Sequence, residues 1–377
     1  MRTIANPMQS WMNCSLRIQS EEEKRMEKTN EKRSATEIIT GYKGPKLRIM
    51  EVCGTHTHEI FRLGIRALLP ENIELISGPG CPVCVTPTGY IDEAIWLAKE
   101  KQVTICTFGD LVRVPGSTES LAGARAAGAH IQVVYSPLDA EIYAKEHPDE
   151  QVVFLSVGFE TTTPASCLAV RQALEDGLSN FSILTANKTM PSAYQALKDS
   201  VDVYLYPGHV NAITGTGLCE SLVEEGISGV VAGFTAKELV TALAAAVIKS
   251  QEGKPFFVNA YPRVVTREGS KEAQKIVADM MEPCDARWRG LDVIPASGMK
   301  LRSAYATYDA RSKYQIPAIE GQENPACRCG EVLQGKCKSS DCPLFGKTCT
   351  PEHPVGACMV SNEGACSAYY SYADMLA

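Results

Sequence analysis

The chain has 377 residues, of which 45% are hydrophobic and 21% charged, and its formal net charge is −7. This composition is ordinary for a globular protein of two or three domains. The negative charge argues against nucleic acid or an anionic membrane as the main partner. No apolar run approaches the roughly 20 residues that span a bilayer, and the N-terminus lacks a secretory signal pattern. We therefore expect a cytoplasmic protein, in which clustered cysteines more often serve metal or redox chemistry than structural disulfides.

Residues 1–36 form a charged N-terminal extension, which we interpret as a solvated helix or a disordered arm. After this extension, short β-rich segments alternate with longer amphipathic ones. Strands are predicted at Leu47–Val52, Ile73–Ile76, Val103–Phe108, Ile131–Tyr135, Val152–Val157, Ser182–Ala186, Val203–Tyr206, Val230–Phe234 and Phe256–Ala260. Helices are predicted at Thr57–Leu69, Thr88–Lys101, Leu121–Ala127, Leu138–Glu146, Ala165–Glu175, Ser192–Asp199, Leu218–Glu225, Ala236–Lys249 and Lys271–Met281.

This alternation is typical of βαβ units and parallel sheets. Nine strands can form two doubly wound parallel-sheet domains, which we place at residues 37–137 and 138–260. Beyond about residue 261 the pattern changes to one charged helix, mixed structure and a cysteine-rich tail. The predicted fold class is therefore α/β, with two parallel-sheet domains and a smaller Cys-rich domain at residues 261–377.

Chemistry-bearing residues recur just beyond the predicted strand ends, where functional groups collect in open α/β sheets. Loops at these positions are normally polar and glycine-rich, but that tendency alone does not predict the residues found here. The six candidates are three cysteines, two histidines and a glutamate: Cys53, His56, Cys81, Cys84, Glu160 and His209. We expect these side chains to form the functional site.

Cys81 and Cys84 form a CxxC pair, which can close to a disulfide or bind one metal with both sulfurs. A thioredoxin-like pair without metal is the alternative. With Cys53, three thiolates from two neighbouring loops could hold one Fe(II) and leave coordination positions open. His56 could support the metal site or cap a helix. Glu160 could transfer a proton beside the thiols or pair with a helix N-terminus, and His209 could serve similarly.

Seven cysteines lie beyond residue 326, in a segment poor in large apolar side chains: Cys327, Cys329, Cys337, Cys342, Cys349, Cys358 and Cys366. A metal centre could hold such a segment together. Zinc sites usually show tidier CxxC pairs, so the irregular spacing with a Cys-Pro step favours a [4Fe–4S] cluster. Four ligands would leave three thiols, enough for a redox-active pair beside the cluster.

Five motifs together resemble one known family. They are Cys53-Gly54-Thr55-His56, Gly78-Pro79-Gly80-Cys81-Pro82-Val83-Cys84, Gly158-Phe159-Glu160-Thr161-Thr162, Pro207-Gly208-His209-Val210 and the tail from Cys327 to Tyr369. In this order, over roughly residues 40–372, they resemble the HypD family of hydrogenase maturation proteins. The long charged extension and Cys337 depart from the family pattern.

The resemblance implies two α/β domains and a third domain that holds a [4Fe–4S] cluster. It implies a scaffold and redox factor on which the Fe(CN)₂CO unit of [NiFe]-hydrogenase is assembled. The implied iron-handling thiols are Cys53, Cys81 and Cys84, the implied cluster ligands are Cys327, Cys342, Cys349 and Cys366, and the implied redox pair is Cys329 and Cys358. Such a protein is a maturation factor with redox activity rather than a conventional turnover enzyme.

The implied partners are a small HypC-type chaperone, a HypE-type donor of cyanide as a thiocyanate, and the precursor of a hydrogenase large subunit. Two other functions stay open at this point. One is an iron–sulfur thiol–disulfide oxidoreductase, which would turn over disulfide substrates and carry no diatomic ligands on iron. The other is a zinc-stabilised binding protein without a redox role, which would be colourless.

Overall fold

A computed structural model describes residues 33–372 and shows an α/β fold with two parallel sheets. The first sheet has five strands in the order β2-β1-β7-β8-β9. Their bounds are Leu47–Glu51 for β1, Ile73–Ser77 for β2, Val203–Pro207 for β7, Gly229–Ala232 for β8 and Phe257–Asn259 for β9. Strand β1 lies between β2 and β7, so it is paired on both edges.

The second sheet has four parallel strands in the order β4-β3-β5-β6. They are β3 (Thr104–Thr107), β4 (Ile131–Val133), β5 (Val152–Gly158) and β6 (Phe181–Asn187). All seven residues of β5 are buried, as expected for a strand covered on both faces.

The two sheets are interleaved along the chain. The second sheet lies between β2 and β7 in the sequence, while those two strands both belong to the first sheet. The boundary predicted between residues 137 and 138 falls between β4 and β5, which both belong to the second sheet. The two sheets therefore do not correspond to the two predicted segments. The reason is that β1 pairs with β7, which follows it by about 150 residues, and chain order alone does not reveal such a pairing.

Helices precede and connect the strands, and most of the predicted ones have bounds close to those observed. They are α1 Ala35–Thr40, α2 Gly54–Arg62, α3 Pro82–Val85, α4 Thr88–Glu100, α5 Leu121–Ala126, α6 Pro137–Glu146, α7 Thr163–Glu175, α8 Met190–Leu197, α9 Gly208–Thr214, α10 Gly217–Ser221, α11 Ala236–Ser250 and α12 Lys271–Met280. Capping boxes begin α6 at Ser136 and α11 at Thr235, which explains why these two helices start where they do.

Two predicted helices are each divided in the structure. The helix predicted at Thr57–Leu69 consists of α2 and a 3₁₀ turn at Ile65–Leu68, separated at Gly64, whose φ of 64° ends the first helix. The helix predicted at Leu218–Glu225 is α10 followed by a 3₁₀ turn at Leu222–Glu225. The short helices α3 and α9, which begin directly at strand-end motifs, were not predicted.

The C-terminal region begins with an antiparallel hairpin of β10 (Met281–Trp288) and β11 (Asp292–Leu301). Short helices follow at α13 (Ala310–Tyr314), α14 (Cys329–Leu333) and α15 (Ala365–Tyr372), joined by loops and 3₁₀ turns. The sequence predicted only mixed structure before the cysteine-rich tail, so the hairpin is an addition. Within residues 33–372, no helix combines the length and apolar character needed to cross a membrane.

Candidate functional site

The loops that carry Cys53 and Cys81 are in direct contact. They follow β1 and β2, which pair in parallel and end together, with Glu51 opposite Ser77. The amide N of Gly54 donates to the carbonyl O of Gly80 at 3.0 Å. A Cβ atom on Gly80 would lie only 2.0 Å from the amide N of Cys53, so this close approach requires glycine.

Cys81 caps the short helix that carries Cys84, and the two thiols interact. Cys81 is the N-cap of α3, and its Sγ accepts a hydrogen bond from the amide N of Cys84 at 3.4 Å. The side-chain hydrogen bond to Cys81, together with burial, raises the pKa of Cys84 well above its ordinary value. The structure therefore places these two thiols beside the Cys53 loop.

All three thiols are shielded from solvent, with exposed fractions of 2% for Cys53, 3% for Cys81 and 0% for Cys84. Burial is the main reason that the pKa of Cys53 rises to about 12. A buried thiol of this kind keeps its proton unless a cation takes its place. A metal ion would supply such a cation, because a coordinating thiol is deprotonated outright.

Two histidines border Cys53. His209 lies two residues beyond the end of β7. Its Nε2 lies 3.8 Å from the Cys53 Sγ, and its ring stacks on Phe234. His56 bonds through Nε2 to the carbonyl O of Gly233 at 3.0 Å, and its Nδ1 is buried without a partner. Burial lowers the pKa of both rings, to about 3 for His56, so both are neutral at physiological pH.

Glu160 lies beyond the end of β5, so the second sheet contributes it. One oxygen, Oε1, accepts a hydrogen bond from the amide N of Met190 at 2.9 Å, while Oε2 is buried without a partner. Burial raises the pKa of Glu160 to about 7. Tyr194 lies near both Glu160 and Cys53. Burial is the main reason that the pKa of its hydroxyl is raised, and the charges of these two groups raise it further. Tyr194 was not singled out from the sequence.

A second group of thiols lines a pocket in the C-terminal region. Its wall is formed by six cysteines, Gly356 and three apolar side chains: Cys327, Cys329, Cys342, Cys349, Cys358, Cys366, Leu344, Phe345 and Met359. Cys329 and Cys358 are joined in a disulfide, which leaves four free thiols on the pocket. Cys337, which is half-buried, does not line it.

The donor set of this pocket fits an iron–sulfur cluster. Four free thiols without a carboxylate, walled by apolar side chains, are the ligands such clusters use. Across residues 33–372, no three or more His, Cys, Asp or Glu side chains converge closely enough to hold a single ion. A four-iron cluster makes a different demand, since each cysteine binds a separate iron and the sulfurs stay apart.

Cysteines of the two thiol groups meet in one hydrophobic core. Cys84 Sγ lies 4.0 Å from the carbonyl O of Ala357, the residue before Cys358 of the disulfide. The buried residues that pack together include Cys81 and Cys84 as well as the tail cysteines Cys329, Cys349, Cys358 and Cys366. The structure thus brings together cysteines that lie about 250 residues apart in the sequence.

Glu363 is a further site residue that the sequence analysis did not single out. Its Oε1 accepts a hydrogen bond from Thr55 Oγ1 at 2.6 Å, next to Cys53. A Cβ on Gly54 would lie 2.5 Å from the Glu363 Cβ, so the tail packs tightly on the Cys53 loop. The available signal was its position three residues before Cys366, although that position alone does not reveal the contact.

Fold and site together define a thiol-rich α/β protein with two parallel sheets and two neighbouring groups of cysteines that meet in one core. The family model HypD, described as the hydrogenase formation hypA family, matches residues 29–373. The chain belongs to the HypD family of hydrogenase maturation factors, as the resemblance of its motifs predicts.

Several hydrogenase maturation factors named HypD are similar to this chain over most of their length. The protein of Rhizobium leguminosarum bv. viciae is 45% identical over 336 residues, which cover 86% of this chain and 87% of that protein. The Escherichia coli (strain K12) protein is 43% identical over 334 residues, covering 86% and 89%. The Cupriavidus necator protein is 42% identical over 342 residues, covering 87% and 90%.

Proposed function

We propose that this chain is a scaffold and redox factor for assembly of the Fe(CN)₂CO centre of [NiFe]-hydrogenase. The iron is a substrate, and Cys53, Cys81 and Cys84 would hold it until transfer. The contact between the two loops supports this role, because it keeps three thiols within one buried region. Within residues 33–372 these sulfurs do not converge on a single point, so binding one iron requires the two loops to close on it. Iron that already carries cyanide and carbon monoxide needs few protein ligands, so three thiols leave room for its other ligands.

Two protonatable groups lie on the thiol side of the core: His209 borders Cys53, and Glu160 lies near Tyr194, which in turn lies near Cys53. Binding iron requires the thiols to lose protons, since thiolates are the metal ligands. His209, 3.8 Å from Cys53 Sγ, and Glu160, whose pKa lies near 7, are suited to accept and return protons. Their burial also keeps bulk water away from the cyanide and carbon monoxide ligands.

We infer that a resident [4Fe–4S] cluster occupies the tail pocket, held by Cys327, Cys342, Cys349 and Cys366. When bound, it would supply single electrons for reductive cyanide transfer. The observation that carries the proposal is the placement of Cys84 Sγ 4.0 Å from Ala357, which adjoins Cys358. Because the Cys329–Cys358 disulfide lines the pocket and Ala357, next to Cys358, contacts Cys84, the disulfide is suited to act as the redox pair.

The proposed partners are a small HypC-type chaperone, a HypE-type cyanide donor and the precursor of a hydrogenase large subunit, all acting in the cytoplasm. The chaperone would complete the coordination of the iron while it is held here. The loops around Cys53 and Cys81 are the proposed contact region. Tight packing of Glu363 against Gly54 means that the tail borders this region.

The test uses the full-length chain purified anaerobically with its chaperone. Infrared spectroscopy should show Fe–CN and Fe–CO bands, and analysis should show iron and acid-labile sulfide. Cys84→Ser should abolish both bands while sulfide remains. Cys106→Ser is the matched control, because Cys106 is equally buried at 0% exposure but lies on β3, away from both thiol groups. Bands that persist in Cys84→Ser would contradict the proposed iron site.

A second pair of variants tests the cluster. Cys349→Ser should lower both iron and sulfide, whereas Cys337→Ser should leave them unchanged because Cys337 does not line the pocket. Wild-type protein that contains zinc and no sulfide would contradict the cluster. Turnover of disulfide substrates without diatomic ligands on iron would instead support the iron–sulfur thiol–disulfide oxidoreductase.

A further inference from the structure

The turn of the β10–β11 hairpin places Arg289 between the two thiol groups. Its amide N donates to the carbonyl O of Val85 at 2.9 Å, and its Nε donates to the carbonyl O of Thr86, also at 2.9 Å. Both acceptors lie at the end of α3, the helix of the CxxC pair. On the other side, a Cβ at Gly290 would lie 2.2 Å from the Cα of Gly330, so the hairpin turn packs tightly against α14.

The guanidinium of Arg289 is buried and incompletely bonded. Its side chain is 4% exposed, and its Nη2 has no hydrogen-bond partner. The ion pair with Glu323, at 3.9 Å from Nη1, is weak because that carboxylate is 44% exposed. A buried cation that lacks full compensation is destabilising unless a negative charge comes close to it. A purely structural arginine would be expected to have all its donors bonded.

The negative charges that can approach are thiolates of both groups. Arg289 lies close enough to Cys84 and Cys327 to interact with their charges, as it does with Glu323 and Asp92. Cys84 is one of the proposed iron-handling thiols, and Cys327 lines the tail pocket. Thus one buried positive charge, held against α3 and packed beside α14, lies within electrostatic range of a thiol from each group.

We propose that Arg289 is a positioning residue whose buried guanidinium stabilises negative charge on both thiol groups and so raises the reduction potential of the tail-pocket centre. This inference rests on the proposed function, since it assumes a cluster in the pocket. Reduction adds an electron to a centre that already has four thiolate ligands. A nearby cation in a poorly solvated environment therefore favours the reduced form, and local charge is one of the factors that set cluster potentials.

The test is a potentiometric titration of the anaerobically purified full-length protein, followed by electron paramagnetic resonance of the reduced cluster. Arg289→Met removes the charge and fills similar volume with apolar atoms, a replacement that buried ions often tolerate. We expect the reduction equilibrium constant to fall about tenfold, or roughly 59 mV for a one-electron couple. Arg287→Met is the matched control, because it removes the same charge from the same hairpin at a side chain that is 61% exposed. It should leave the potential near the wild-type value.

The outcomes separate this inference from the proposed function. If wild-type protein lacks iron and sulfide, the cluster is absent and both fail. If the cluster forms but Arg289→Met and Arg287→Met share the wild-type potential, only the role of Arg289 is overturned. If Arg289→Met does not accumulate folded, Arg289→Lys decides the matter: cluster assembly with a near-normal potential supports a role for the charge, whereas failure of the lysine variant too shows that Arg289 serves packing alone.

Discussion

Gly80→Ala provides a direct test of the contact that joins the two thiol-bearing loops. The new Cβ would lie 2.0 Å from the amide N of Cys53 and 2.3 Å from its Cα. Restoring the 3.4 Å of an ordinary contact requires the Cys53 backbone to move by about 1.4 Å. Backbone atoms cannot rotate away as a side chain can, and overpacking of this kind costs about 1–3 kcal/mol. We expect a loss of that size in the free energy of unfolding.

The same displacement should impair iron binding. A misplacement of about 1 Å can lower the rate of a reaction on the order of 100-fold, because reacting groups must be held in position. Urea unfolding gives the stability change, and the infrared bands of the protein–chaperone complex give the iron occupancy. Gly217→Ala is the control, since no neighbouring atom lies within 4 Å of a Cβ there. Unchanged stability and unchanged bands in Gly80→Ala would refute the role assigned to this contact.

Thr55→Val removes the hydrogen bond to Glu363, and hydrogen bonds to charged groups contribute about 1.5–3 kcal/mol. Urea unfolding should therefore show a loss of this size in the free energy of unfolding. An unchanged urea midpoint would contradict this expectation. Cys329→Ser opens a disulfide between residues separated by 29 positions, which should lower stability by about 3.6 kcal/mol in oxidising buffer. That difference should vanish once the wild type is reduced, and its persistence would show another cause. Glu160 has a raised pKa of about 7 against 4.5 when unfolded, so the folded protein binds more protons between these values and loses stability as pH rises through them. Glu160→Gln should flatten this slope, and an equal slope in the variant would count against the burial of this carboxyl.

Much of the fold follows from the alternation of β-rich and amphipathic segments. The nine predicted strands all correspond to strands β1 to β9, usually within two residues at each end. The pairing of β1 with β7 could not be predicted, because alternation identifies strands without specifying which distant strand lies beside which. The hairpin β10–β11 was missed since Pro283, Gly290 and Pro295 interrupt its pattern, and they favour turns when read locally.

The candidate site was predictable to the extent that its residues lie at strand ends. Cys53, Cys81 and His209 follow β1, β2 and β7, three adjacent strands of the first sheet, so the rule for parallel sheets places them side by side. Glu363 and Arg289 lie in the C-terminal region and approach the thiols through tertiary packing. No local sequence signal specifies such a contact, because it depends on how separate elements pack.

The interleaved sheets divide the site into parts of different origin. Cys53, Cys81 and His209 share the first sheet, whose strands fix their spacing through parallel pairing. Glu160 comes from the second sheet, which the chain enters after β2 and leaves before β7. A change in the angle between the sheets would therefore move Glu160, the proposed proton-transfer group, relative to the thiols while leaving the thiols in place. Such a division suits the proposed scaffold, which would hold iron on one sheet and exchange protons through a group on the other.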